Sequence, residues 1–273
     1  FVKGAGSLVF LHWVRSSEVA CIYGGSEDTH RILHSQKWTY FPGIRLYGLN
    51  GRYTVRLGER GWRRAAKSLL GAVLPSVDLR RLAERARREP AWRNVRAEEV
   101  PAASEDMLPT TTPFTFRLKP TVAYLNWRYA TTLPFVRYRM FRIRRDGAPC
   151  GYVIVNERPY QWMIAQTDGV DEEVVVGGVI QALGELARAG RPRREVLLTC
   201  AHSGMAAQYR SLGFVAAPDE RSFALGSRRR PLEWSGDTSR WHVNFDWTDN
   251  GLRRPFLDEQ SIGPTAPLAA AAA

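Results

Sequence analysis

Residues 18–49 are echoed about 176 positions later, and this repeat limits the folds open to the chain. Glu18 to Tyr23 is a short apolar run that ends at Gly24-Gly25-Ser26 and leads into a helical stretch, Glu27 to Gln36, stopped at Lys37-Trp38. Glu195 to Cys200 is a second such run; it leads through His202-Ser203-Gly204 into a helical stretch, Met205 to Leu212, stopped by Gly213-Phe214. A short apolar run bounded by turn residues reads as a buried strand, and the stretch after it as a helix with its own stop signal. The offset that carries Trp38 onto Phe214 also carries Pro42 onto Pro218, Arg45 onto Arg221, Tyr47 onto Phe223 and Leu49 onto Leu225. An apolar helix precedes each strand, Ser7 to Arg15 in the first copy and Glu172 to Ala189 in the second. The order helix, strand, helix, strand therefore occurs twice, as repeated units do.

Between the copies, Asp78 to Glu89 has Leu79, Leu82 and Ala86 at helical spacing with arginines on the other faces, and Pro90 ends it. It reads as a basic linker helix. Arg93 to Pro113 reads as a strand and then a loop broken by Pro101, Pro109 and Pro113. Thr121 to Tyr129 reads as a helix. Phe135 to Arg144 and Gly151 to Val155 flank Asp146-Gly147, a strong hairpin turn signal. Tyr160 to Ala165 reads as a further strand, followed by a loop, Gln166 to Glu173.

Composition narrows the class. With 44% hydrophobic and 24% charged residues the chain is neither mostly disordered nor collagen-like. No run of about 18 apolar residues occurs, so no membrane-spanning helix is expected. Of the net charge of +12, half sits in Val55 to Val100, with 12 Lys+Arg against 6 Asp+Glu. Three cysteines, Cys21, Cys150 and Cys200, make no disulfide framework, and no secretory signal pattern is legible; a reducing, cytoplasmic setting is the expectation. The Pro- and Ala-rich stretch 259–273 reads as a disordered tail.

Three stretches resemble bacterial tandem proteins of the GNAT (Gcn5-related N-acetyltransferase) family. Tyr124-Leu125-Asn126-Trp127-Arg128-Tyr129, followed by Pro134, resembles a signature at the start of their second domain. Tyr209 to Gly213-Phe214 resembles the ending of the helix beside the acyl group, and Glu18 to Leu49 resembles the terminal half of a first domain. The resemblance implies an α/β fold with a mixed, mostly antiparallel central sheet flanked by helices. It implies the C-terminal half of a first domain over 1–54, a basic helical linker over 55–94 and a complete second domain over 95–258. The acceptor-binding strands of the first domain would then lie upstream of Phe1.

The activity so implied is N-acyl transfer from acetyl-CoA, or another acyl-CoA co-substrate, to a small-molecule amine, with no metal and no membrane partner. Gly4-Ala5-Gly6-Ser7 resembles the loop that cradles the coenzyme A pyrophosphate, although Phe1 stands where Gln or Arg is expected. Glycines let the backbone approach the phosphates, and free N–H groups at a helix start point at the anion. Tyr209 falls where the family places the acid that protonates the departing thiolate, and His202 where it has a residue near the pantetheine arm. In the first copy Leu33 stands at the position of Tyr209. The loop before the second copy's helix has no Gly-x-Gly, and Asp168, Asp171, Glu172 and Glu173 oppose a pyrophosphate there. The first copy is thus the expected cofactor site.

Two other classes stay open. Fem-type peptidyl transferases also have two GNAT-like domains and use aminoacyl-tRNA, which the basic stretch Arg80 to Arg96 would contact through phosphates. A non-catalytic GNAT-fold binding module is the other. His30 and His34, four apart on one helix, have the spacing of metal ligands but no placed carboxylate partner.

Overall fold

The computed structural model describes residues 12, 14–16, 18–24, 27–50, 76–133, 136–158, 161–190, 192–227 and 237–245. Ten strands are described: β1 (Ala20–Tyr23), β2 (Thr39–Leu49), β3 (Val95–Val100), β4 (Phe116–Arg117), β5 (Arg137–Arg145), β6 (Ala148–Glu157), β7 (Gln161–Gly169), β8 (Glu195–Cys200), β9 (Val215–Gly226) and β10 (Trp241–His242). The helices are α1 (Glu27–Ser35), α2 (Leu79–Ala86), α3 (Val122–Arg128), α4 (Glu172–Ala189) and α5 (Ser203–Ser211). Eight strands form one sheet in the order β1-β9-β2-β8-β7-β6-β5-β3. Among the described residues its one parallel pair is β7 with β8, so the expected mixed, mostly antiparallel α/β architecture is present.

The two copies are interleaved. The 176-residue offset carries α1 onto α5, β1 onto β8 and β2 onto β9. Yet β1 pairs with β9, and β2 pairs with both β8 and β9. Each copy's last strand thus lies beside the first strand of the other, and the two last strands pair at the centre. The order β1-β9-β2-β8, with every pair antiparallel, reads the same when the two segments are exchanged. It corrects the expectation that 95–258 is complete in itself. One strand of the second unit's sheet comes from the first unit, because on its far side β8 pairs, among the described residues, with β2.

The sheet is covered on both faces, so strands such as β6 are apolar throughout. Val153 and Val155 turn to the larger core with α2, α4 and α5; Tyr152 and Ile154 turn to a second core with α3. The hairpin β5–β6 closes at Asp146-Gly147, both at positive φ (52° and 81°), as the sequence signal predicts. The strand expected over 160–165 runs on to Gly169, so the acidic loop starts later than expected.

The expected linker helix is part of the core. Asp78 caps α2 by accepting from the N–H groups of Arg80 and Arg81, and Leu79, Leu82, Ala83 and Ala86 are buried. Its apolar stripe lies on α4, where a side chain on Gly184 would run into the Ala83 methyl. Arg80 Nε donates to the carbonyl of Ala187 at 2.8 Å, near the open end of α4. Gly184→Val should therefore force the helices apart and lower stability by about 1–3 kcal/mol in urea unfolding. An unchanged midpoint would mean that α2 does not pack there.

Candidate functional site

β7 and β8 pair only from Gln161–Met163 to Glu195–Leu197, and beyond that the two strands splay. The gap between them is the candidate site. Four elements meet there: the ends of β7 and β8 and the starts of α4 and α5.

A segment of the chain itself lies across the gap. Trp241, His242, Val243, Asn244 and Phe245 are all buried. Trp241 and Val243 pack with Ile44 and Phe223, and Phe245 packs with Met163 and Leu197. The alternate residues are polar and meet the exposed edge of β7. His242 Nε2 donates to the Thr167 carbonyl at 2.8 Å, and Asn244 Nδ2 donates to the same oxygen at 3.1 Å. The Thr167 hydroxyl donates to Asn244 Oδ1 at 3.0 Å. On the other side, the Thr199 hydroxyl of β8 donates to the Val243 carbonyl at 3.1 Å. The segment thus serves both strands where they no longer serve each other. Burial pushes the His242 imidazole down to about 4, so it is neutral at physiological pH.

β4 runs parallel to β10 and brings two more groups. Phe114, just before β4, stacks on His242 with ring centres 4.7 Å apart and meets His202 edge-on at 5.4 Å. Arg117 forms a buried ion pair with Asp168. Burial pushes the Asp168 carboxyl up to about 6, against the opposite pull of Arg117.

The helix starts at the gap hold carboxylates. Asp171 caps α4 by accepting from Val174 N at 2.8 Å, and Arg145 clamps the same carboxylate through two contacts of 2.6 and 2.9 Å. Glu172 Oε1 stands 3.4 Å from His202 Nε2, and Glu172 Oε2 lies where a side chain on Gly204 would go. A carboxylate therefore already sits against the start of α5, where an anionic ligand would need free N–H groups.

The predicted site residues are partly brought together. Gly4, Ala5, Gly6 and Ser7 lie outside the described residues. His202 is at the gap as the N-cap of α5: its Nδ1 accepts from Met205 N at 3.3 Å, which leaves the ring proton on Nε2, toward Glu172. Tyr209 is on the same helix but about two turns further on. It is buried in the larger core, edge-on to Phe214 at 5.3 Å, and burial raises its phenol well above the usual value of 10. His30 and His34 both meet Tyr40. His30 Nδ1 is 3.0 Å from the Tyr40 hydroxyl and His34 stacks on its ring. Among the described residues no three potential metal ligands converge. Burial pushes Cys150 up to about 11 and Cys200 to about 12, so neither is a thiolate nucleophile at neutral pH.

Sequence reasoning missed Phe114, Arg117, His242 and Asn244. The alternation of large apolar and polar residues in Trp241-His-Val-Asn-Phe245 was the available signal.

No protein-family model matches the chain. No curated protein matches it either. Similar solved structures do exist. A GCN5-related N-acetyltransferase from Sphaerobacter thermophilus is 13% identical, with 86% of this chain and 71% of that one covered and a TM-score of 0.46. A tandem GNAT protein from the clavulanic acid biosynthesis pathway is 14% identical, over 85% of this chain and 72% of that one, with a TM-score of 0.43. A functionally unknown conserved protein from Staphylococcus epidermidis is 11% identical, over 82% and 77%, with a TM-score of 0.45. Likeness at this level says nothing of activity.

Proposed function

We propose that the chain is an N-acyltransferase of GNAT type whose acyl-CoA site belongs to the first copy, around Gly4 to Ser7, while the second copy is its structural partner. The observation that carries this reading is the segment Trp241 to Phe245, which is held across the splayed ends of β7 and β8. Acyl transfer of this kind aligns an amine with a thioester and polarises the carbonyl through strand N–H groups. In the second copy Trp241 to Phe245 lie across the splayed strands and engage the Thr167 carbonyl and the Thr199 hydroxyl, groups that face the gap where a thioester would enter. Its helix starts meet Asp171 and Glu172 instead of a pyrophosphate. Coenzyme A at that gap would have to displace this segment and meet the two carboxylates. Tyr209 is in this reading a packing residue.

Titration of acetyl-CoA by calorimetry tests the assignment. Gly4→Val or Gly6→Val should weaken binding by at least about tenfold, because a side chain holds the backbone away from the phosphates. Tyr209→Phe should keep turnover in full, whereas loss of a positioned acid costs about 10²–10⁴-fold. Binding that survives both glycine variants and falls in Glu172→Gln would place the site in the second copy and overturn the proposal. A non-catalytic binding module is the second reading. It is favoured by Leu33, which stands at the Tyr209 position of the first copy and carries no proton to give. Absence of any acetyl-CoA heat supports that reading over the first.

A further inference from the structure

Arginines across most of the sheet are matched with carboxylates: Arg139 with Glu99, Arg142 with Asp106, Arg144 with Glu98 and Arg145 with Asp171. Several others are not, and three of these stand close together. Arg81 and Arg85 stand one turn apart on the exposed side of α2, and Arg193 lies just before β8. Among the described residues none of the three has a carboxylate within 4.0 Å. All three line one cavity of about 420 Å³. That volume is within the range of small-molecule sites, about 300–1,000 Å³.

The cavity has a built floor. Leu82 and Leu212 are buried beneath it, beside Val77 and Gly213. The Val77 backbone is fixed at both ends by Asn50, whose Oδ1 accepts from Val77 N at 2.6 Å and whose Nδ2 donates to the Val77 carbonyl at 2.5 Å. The single carboxylate on the wall, Asp78, already accepts from two N–H groups at the start of α2. It is therefore engaged in capping. Three guanidinium groups around one small volume repel each other until an anion joins them. A guanidinium pairs with two phosphate oxygens at once. The apolar floor suits the flat body of a ligand that carries such a phosphate.

We propose that this cavity binds a phosphorylated small molecule of nucleotide size. It lies at the far end of α5 from His202, apart from the gap between β7 and β8 and from the loop assigned to acyl-CoA above.

The test is calorimetric titration of the full chain with ADP and with inorganic pyrophosphate at low ionic strength. At the cavity ADP should bind more tightly than pyrophosphate because of the floor, in addition to any binding at the acyl-CoA loop, which takes the same pyrophosphate group. Arg81→Gln with Arg85→Gln, and separately Arg193→Gln, should weaken ADP by at least about tenfold. Arg137→Gln, an exposed arginine of β5, should leave ADP binding unchanged, and Gly4→Val should leave the component that depends on the three arginines; ADP binding abolished by Gly4→Val alone would belong to the acyl-CoA loop and overturn the proposal. No heat with either ligand, or equal affinity in all variants, would also overturn it. So would a twelve-nucleotide RNA that binds more tightly than ADP through the same three arginines, since the site would then read a nucleic-acid backbone. Unchanged melting temperatures keep a folding defect from passing as a binding one.

Discussion

Residues 76–245, expressed without the first copy, should yield no folded protein. β2 supplies the strand between β8 and β9, so its removal opens two edges in the middle of the sheet. It also takes Ile44, Leu46, Tyr47 and Leu49 out of three cores. At about 1.5–3 kcal/mol for each fully buried large side chain, the four together contribute roughly 6–12 kcal/mol. That is comparable to the whole stability of an ordinary domain, about 5–15 kcal/mol. Far-UV circular dichroism and size exclusion give the readout, and a peptide spanning residues 39–49 added in trans should restore structure. A cooperatively folded monomer from 76–245 alone would refute the interleaved pairing.

Arg117→Met should be the most damaging single substitution near the gap. It leaves Asp168 buried without its cation, and stranding one partner of a buried ion pair costs about 3–5 kcal/mol. The effect depends on pH with a definite sign. Asp168 titrates at about 6 in the folded protein, above the ordinary carboxylate range near 4, so the folded chain holds its proton more tightly than the unfolded one. Its contribution to stability is then full below about pH 4 and is lost as pH rises through about 6. Without Arg117 the loss deepens, and the variant should be hurt more at pH 7.5 than at pH 4.5 in urea unfolding. The double variant Arg117→Met with Asp168→Leu removes both charges and should recover most of the loss. A single variant as stable as the wild type at pH 7.5 would show that the pair does not hold β4 to β7.

The repeat was legible because its signals are local. A buried strand, a capped helix and a turn are each written within about ten residues, and the sequence expectation for α4 and β8 matches the observed limits. The exchange of strands was not legible. β2 and β9 carry similar apolar patterns, and nothing within either says whether its neighbour lies in the same copy or the other. The linker reading of α2 failed for a related reason: Leu79, Leu82 and Ala83 mark an apolar face, but their partner, Gly184, is a hundred residues away and has no side chain to advertise the contact. Of the site, the acids before α4 were legible as a bar to pyrophosphate, and Asp171 and Glu172 do occupy the helix starts. The segment across the gap was not, because its partners, Thr167 and Thr199, lie far from it along the chain and leave no local signal.

The exchange also governs how the molecule comes into being on the ribosome. β2 leaves the exit tunnel long before β8 and β9 have been synthesised, and at about 5–20 residues per second that interval is on the order of ten seconds. During it an eleven-residue strand has neither of its eventual neighbours. Contacts so distant along the chain are slow to form, and an unsatisfied strand edge is an invitation to pair with another nascent chain. The middle of the sheet is thus the last part to close, and yield should depend on how well holdase chaperones shield the first fifty residues until the last strand arrives.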